Sequence, residues 1–278
     1  MKTKLSIGTD PEFFLESETG ELCSAIGKVG GSKFQPKPFG KKGFFVQEDN
    51  VAVEFNIPPA ATVKEFVDSV QYALTTLTNT VKTLGLRPRL TSAEIFPSHE
   101  LLDPQAHVFG CDPDFNAWLD GAKNRPPQTP NSSFRSCGGH LHFGLQKKYR
   151  SMEERNNMIH ALVQAQDMFL GVPSVMMDSV QERRKLYGKA GSFRYTAYAP
   201  TAWEYRVLSN FWVKSPETMK WAFEQAQRAV HFFYYHGLRR WKEIMAKEDL
   251  GRQIEHCINS GDISLSQQLI NTWDLKVA

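Results

Sequence analysis

Two carboxylates, Asp10 and Glu12, stand two residues apart in the run Gly8-Thr9-Asp10-Pro11-Glu12-Phe13-Phe14-Leu15. The apolar residues that follow predict a strand. Residues two apart on a strand share a face, with Cα atoms roughly 7 Å apart. Acids held that close repel each other, and a bound cation is the usual remedy. Taken alone, such a pair is more often a solvated edge strand. The same spacing returns, however, in His140/His142 and in Glu204/Arg206, each on a strand-like run. Glu54 ends a fourth such run, with Glu48 and Asp49 at the turn before it. Convergence of these faces would gather several carboxylates, one or two imidazoles and a guanidinium.

Oxygen-rich ligation of this kind suits magnesium or manganese better than zinc. Arg183, Arg184, Lys185, Lys189 and Arg194 crowd into the segment just before the Glu204 strand. Guanidinium groups beside a metal–carboxylate cluster suit phosphate, to which they offer forked donors. Together these parts describe a nucleotide phosphate site. Neither a P-loop nor a strand–G-x-G-x-x-G–helix run is present, so the two commonest phosphate cradles are excluded. A zinc hydrolase built on His140, His142 and carboxylates is the alternative; it leaves the arginines idle. A thiol mechanism through Cys137 and His140 is disfavoured, because the two residues lie three apart on a Gly-Gly turn.

The elements that must position these residues are legible in outline. Residues 5–26 read as a hairpin, and residues 44–55 as a second one turning at Glu48-Asp49-Asn50. Between them lies a Gly/Lys/Pro-rich stretch, 27–43, read as a solvated loop that could also cover phosphates. Thr62-x-x-Glu65 is a capping box opening an amphipathic helix to Leu84, with Gly85 as its stop. Residues 86–137 look irregular, and 140–144 form a short strand. Ser151-x-x-Glu154 caps a helix to about Leu170, 183–194 reads as a basic loop, and 203–208 as an alternating strand. Ser215-Pro216 opens a long aromatic helix to about Lys247, and two short helices close the chain. Strands and helices mingle without regular βαβ alternation, which predicts an α+β fold with a largely antiparallel sheet. No linker divides the chain, so a single domain over 1–278 is expected, helical from about residue 215.

Bulk properties bound the rest. The 278 residues are 41% hydrophobic, enough for a substantial core, and the net charge of +3 announces neither a nucleic-acid nor a membrane partner. The four cysteines lack C-x-x-C spacing, which speaks against a zinc knuckle or a disulfide scaffold. With no signal peptide and no run long enough to span a bilayer, a soluble cytoplasmic protein is expected.

As an ordered set the motifs resemble a known family. Gly8–Leu15 is similar to the strand of glutamine synthetases whose acids hold metals. Gly138-Gly139-His140-Leu141-His142 and Glu204-Tyr205-Arg206 resemble two further strands of those enzymes. The phage-type COOH-NH2 ligase type 2 group, within the glutamine synthetase/glutamate–cysteine ligase superfamily, is similar at GTDPEFFL, QEDNVAVEFN, GGHLHFG, the RR…YGKAGSFR segment and EYRVLSN. The resemblance implies a glutamine synthetase-like curved sheet and an ATP- and Mg2+- (or Mn2+-) dependent carboxylate–amine ligase forming an amide through an acyl phosphate. Its substrates would be a small-molecule or peptide carboxylate and an amine, and a phage-encoded member would act in the host cytoplasm. Carried onto this chain, the resemblance gives Glu12 and Glu54 to one metal, with Glu48 or Asp49 as a third ligand. It gives Asp10, His140 and Glu204 to the other. His142 would approach the nucleotide, and Arg194 and Arg206, with Arg183 and Arg184, would neutralise its phosphates. The chain departs from the synthetases in the shorter acid at Asp10, in the Glu48-to-Glu54 spacing, and in lacking a clear ammonia-site segment.

Overall fold

The run carrying Asp10 and Glu12 lies inside a 13-residue strand, β1 (Leu5–Ser17), at the centre of the sheet. In this computed structural model, residues 4–107, 114–125, 131–196, 199 and 201–278 are described. Short β2 (Leu22–Cys23) and β3 (Lys37–Pro38) come next, then the hairpin of β4 (Phe45–Asp49) and β5 (Ala52–Asn56). Helix α1 (Val63–Lys82) follows, closed at its start by the expected box of Thr62 and Glu65. The stretch expected to be irregular holds β6 (Leu86–Arg89), β7 (Ala93–Ile95), β8 (Phe115–Asn116), β9 (Ala122–Lys123) and β10 (Phe134–Ser136). Strand β11 (Gly139–Leu145) leads to α2 (Met152–Gln166), a π turn over Asp167–Gly171, and α3 (Val172–Met177). Then come α4 (Glu182–Leu186), β12 (Ser192–Tyr195), β13 (Ala202–Tyr205), α5 (Pro216–Ala246), α6 (Leu250–Ser260) and α7 (Ile263–Trp273).

The main sheet runs β3-β4-β5-β1-β11-β13-β12-β8-β9, with β2 and β6 also on β1; β7 and β10 form a separate pair. Each of these pairings is antiparallel, as a sheet of hairpins and short returns requires. The fold is thus a mixed α/β one built on a large antiparallel sheet.

One face of the sheet is apolar. Phe13, Leu141, Phe143, Phe193, Trp203 and Tyr205 alternate with the polar residues of the motifs and join a core reaching from Ile7 to Leu275. Phe143 stacks on Trp203 at 5.1 Å, and Trp203 donates from Nε1 to Gln166 Oε1 of α2 at 3.1 Å. Phe66 of α1 meets Trp212 and Phe223, tying α1 to α5. Helices cover this face; the acids, imidazoles and arginines occupy the other.

Three expectations about elements are corrected. Residues 183–194 are not one loop: α4 and β12 take most of them. The helix opened by Ser151 does not stop near Leu170. It widens into the π turn and continues to Met177, the extra residue relieving the clash that Pro173 would impose on a regular ladder. The long aromatic helix is interrupted at Gly237, whose φ of 75° no helical residue adopts. Of the cysteines, Cys23, Cys137 and Cys257 are free thiols, and Cys111 lies outside the described residues. No helix among the described residues is long and apolar enough to cross a membrane.

Candidate functional site

Strand register aligns the motif residues. Glu12 of β1 pairs with Glu54 of β5, and Asp10 pairs with His140 of β11. His142 then pairs with Glu204 of β13, which pairs with Arg194 of β12. Directly paired residues in an antiparallel sheet project from one face, so a polar row runs across four neighbouring strands and onto β12. Arg206, two residues beyond Glu204, joins the same face.

Two sets of potential ligand atoms lie in this row, each set with its atoms within 4.8 Å of one another: Glu12, Asp49 and Glu54; and Asp10, His142 and Glu204. The first set is all carboxylate. Burial, then the charge of Asp49, push the Glu12 carboxyl up to about 7 against the pull of the Gly138 N–H and two arginines. Burial and four neighbouring carboxylates hold Glu54 well above its usual range, and burial raises Asp49 also. Three acids that all resist ionisation, Asp49 among them only half-buried, fit a hard divalent cation, whose charge would reverse each of these shifts.

The second set compensates itself. His142 Nε2 lies 3.0 Å from Asp10 Oδ2. Burial works against a charged ring there, yet the charge and contact of Asp10 push His142 up to about 9. Burial alone would raise Asp10, but His142 and His140 hold its carboxyl well below the usual range. Glu204 is likewise lowered, chiefly by Arg206 acting against burial. Asp10 Oδ1 and His142 Nε2 are nevertheless buried without a well-directed hydrogen bond. One imidazole and two carboxylates with such orphaned atoms also fit a divalent cation.

The set of closely spaced ligand atoms holds His142 rather than His140. His140 was expected among the ligands and His142 at the nucleotide, but His142 joins Asp10 and Glu204. The His140 ring is almost wholly buried, its Nδ1 3.4 Å from both Asp10 Oδ1 and Glu204 Oε1 and its Nε2 3.4 Å from Arg183 Nη2. Burial and the nearby Arg206 charge lower it to about 4, leaving a neutral ring wedged beneath the set.

Of the two alternatives, Glu48 and Asp49, the structure brings Asp49 to Glu12 and Glu54 and turns Glu48 away. Strand β4 continues to Asp49, which pairs with Ala52, so alternation puts Gln47 and Asp49 on the polar face and Glu48 on the other. Its carboxylate accepts instead from the backbone N–H groups of Gly27, Val29 and Gly30 at 2.7–2.9 Å. This pins the start of the Lys-rich stretch to β4. Glu48→Ala is expected to cost about 1–3 kcal/mol, as donors lose a charged partner, and to speed tryptic cleavage at Lys28 and Lys33. Divalent-cation stoichiometry by calorimetry should be unchanged; loss of a bound ion would return Glu48 to the cluster.

Arg183 and Arg184 are also corrected. They are neighbours on α4, and both are buried and engaged with the chain itself. Arg183 donates to the carbonyls of Val207 at 3.1 Å and Arg206 at 3.3 Å. Gly188, at φ 68°, leaves room for it; a Cβ there would sit 2.1 Å from Arg183 Nη1. Arg184 donates to Ser174 Oγ at 2.9 Å, within the helical layer. Arg194 and Arg206 remain at the row, where both reach Glu204.

Two residues were missed. Asp114 lies 2.7 Å from Arg206 Nε and 3.5 Å from Arg194 Nε; it precedes a two-residue strand that no periodicity reveals. Asn56 donates to Glu54 Oε1 at 3.1 Å, and its spacing of two from Glu54 on β5 was a usable signal.

Cation-fitting sets beside two arginines on an antiparallel sheet have the chemistry of a centre for metals and anions. Residues 119–247 match the model of the family described as phage phiEco32-like COOH.NH2 ligase-type 2, which bears out the resemblance read from the motifs. That span carries His140, His142, Arg194, Glu204 and Arg206 and excludes β1, β4 and β5. Among solved structures, one titled "GmaS/ADP complex-Conformation 1" aligns over 99% of this chain and 71% of that chain, at 9% identity and a TM-score of 0.41. A likeness that loose does not establish a shared fold. No curated protein matches the chain in sequence.

Proposed function

We propose that this chain is an ATP-dependent carboxylate–amine ligase, with one glutamine synthetase-like catalytic domain over 1–278 to which α5–α7 contribute the helical part. The observation that carries the reading is the row itself: an acid-only set, a mixed set and two arginines, paired strand to strand. Glu12, Asp49 and Glu54 would hold one divalent cation, and Asp10, His142 and Glu204 a second. Magnesium or manganese there supplies charge that polarises phosphoryl oxygens.

This chain's own residues supply the rest. Arg194 and Arg206, at the end of the row beyond Glu204, bind the phosphates and offset charge as the γ-phosphoryl group passes to a substrate carboxylate. The resulting acyl phosphate is attacked by an amine, with phosphate leaving and an amide formed. His140, neutral and held by Arg183, keeps Asp10 and Glu204 apart without adding charge. Rigid strands set these positions, so the cost of orienting the groups is met on folding.

The test is magnesium-dependent ADP release, screened over pairs of small-molecule or peptide carboxylates and amines. Turnover that needs both substrates and stops with EDTA is the expected outcome. Tight stoichiometric zinc with no nucleotide binding would replace the ligase by the hydrolase reading.

A further inference from the structure

Both arginines assigned above to phosphate converge on a carboxylate that belongs to the chain. Asp114 Oδ1 lies 2.7 Å from Arg206 Nε and 3.5 Å from Arg194 Nε. Continuation of the β8–β12 register, in which Ser192 pairs with Asn116 and Phe193 with Phe115, places Asp114 across from Arg194. The backbone there is anchored, since the Asn124 N–H donates to the Asp114 carbonyl at 2.7 Å. The side chain is held differently. Its Oδ1 is buried and makes no directed hydrogen bond among the described residues, so charge rather than geometry holds it between the guanidinium groups. An anion held by charge alone gives way to one with more charge and more acceptor oxygens.

We infer that Asp114 is a built-in competitor for the phosphate position between Arg194 and Arg206, so that this position admits polyphosphate and turns away singly charged anions. The inference rests on the ligase reading for the identity of the anion, but not for its geometry. Without an incoming anion, Asp114 joins Glu204 in offsetting the charge of the two clustered arginines. A polyphosphate must displace it, and the observed affinity is reduced by the fraction of molecules in which Asp114 is in place.

The probe is inorganic pyrophosphate, titrated by calorimetry in EDTA so that no metal contributes. Asp114→Asn is expected to bind it about tenfold more tightly than the wild type, the size of one well-placed charge interaction. Asp114→Glu, which keeps the charge, should stay within about twofold of the wild type. Adding Arg194→Gln to Asp114→Asn should remove most of the gain. Equal or weaker binding by Asp114→Asn would overturn the inference and make the carboxylate a positioning group for the arginines. A glutamate variant that also tightens would overturn it, because charge would not be the cause. Melting curves check that each variant folds, and Asp114→Ser replaces the asparagine variant if that one does not. The two readings fail separately. Tighter pyrophosphate binding with no ADP release from any substrate pair leaves the competitor standing and removes the ligase; ADP release with pyrophosphate affinity indifferent to Asp114→Asn does the reverse.

Discussion

Glu54→Gln is expected to lower magnesium-dependent ADP release by about a thousandfold while raising the melting temperature of the metal-free protein. The two effects have one cause. Glu54 is paired across strands with Glu12, and burial, then the charges of Asp10, Asp49, Glu12 and Glu204, raise its carboxyl well above the usual range. On the ligase reading a divalent cation would share that charge, and the same cation would serve turnover. Losing one ligand of a metal that carries several kcal/mol of charge stabilisation costs about 4 kcal/mol, or a thousandfold. Glutamine keeps the shape and leaves an oxygen for the Asn56 side chain. It removes one of three mutually repelling acids, so the metal-free protein should melt about 2–4 °C higher, as for about 1 kcal/mol gained. Manganese titration should show one ion lost. Turnover near the wild-type rate would sink the metal assignment, and a fall in both rate and melting temperature would mark Glu54 as structural.

The legible part of this site was its period. Asp10/Glu12, His140/His142 and Glu204/Arg206 all share faces because a strand repeats every two residues, and the structure keeps each pair together. Register was not legible. Which histidine is paired directly across from Glu204 depends on how β11 slides against β13, and a shift of two residues would have paired His140 with it instead. The Glu48/Asp49 choice was nearer to hand. Extending the alternation of β4 by two residues puts Asp49 beside Glu54, but reading Glu48-Asp49-Asn50 as a turn ended the strand too early. Arg183 and Arg184 were read as part of a glycine-bearing loop, whereas they are neighbours on α4, and neighbours on a helix point in different directions. Asp114 carried no local signal at all. Its position comes from the edge pairing of β8 with β12, made across more than 70 residues of chain. The fold followed the same division: hairpins, caps and the antiparallel class follow from local chemistry, whereas the π turn and the break at Gly237 answer to packing.

Asp167→Asn is expected to make the protein more stable at pH 8 and to leave it nearly unchanged below pH 4. Asp167 sits in the π turn behind the sheet, fully buried. Its Oδ2 accepts from Trp118 Nε1 and the Gly191 N–H, both at 2.6 Å, and its Oδ1 from the Tyr205 hydroxyl at 2.8 Å. Burial outweighs these donors and raises the carboxyl from 3.8 to about 7. The sign follows from linkage: between those values the folded protein holds a proton that the unfolded chain has released. The stabilising contribution is therefore complete below pH 4, declines as pH rises, and is gone above about 7. Three units correspond to on the order of 4 kcal/mol across that window. Asparagine imitates the protonated acid. Its carbonyl can accept from Trp118 and Gly191 while its amide donates to the Tyr205 oxygen, whose hydroxyl is free to turn. Urea unfolding from pH 4.5 to 8 should thus show a falling slope in the wild type that the variant lacks. Asp167→Ala, which abandons three buried donors, should be less stable at every pH. Parallel wild-type and asparagine profiles would mean that Asp167 stays ionised in the fold, its three donors outweighing burial.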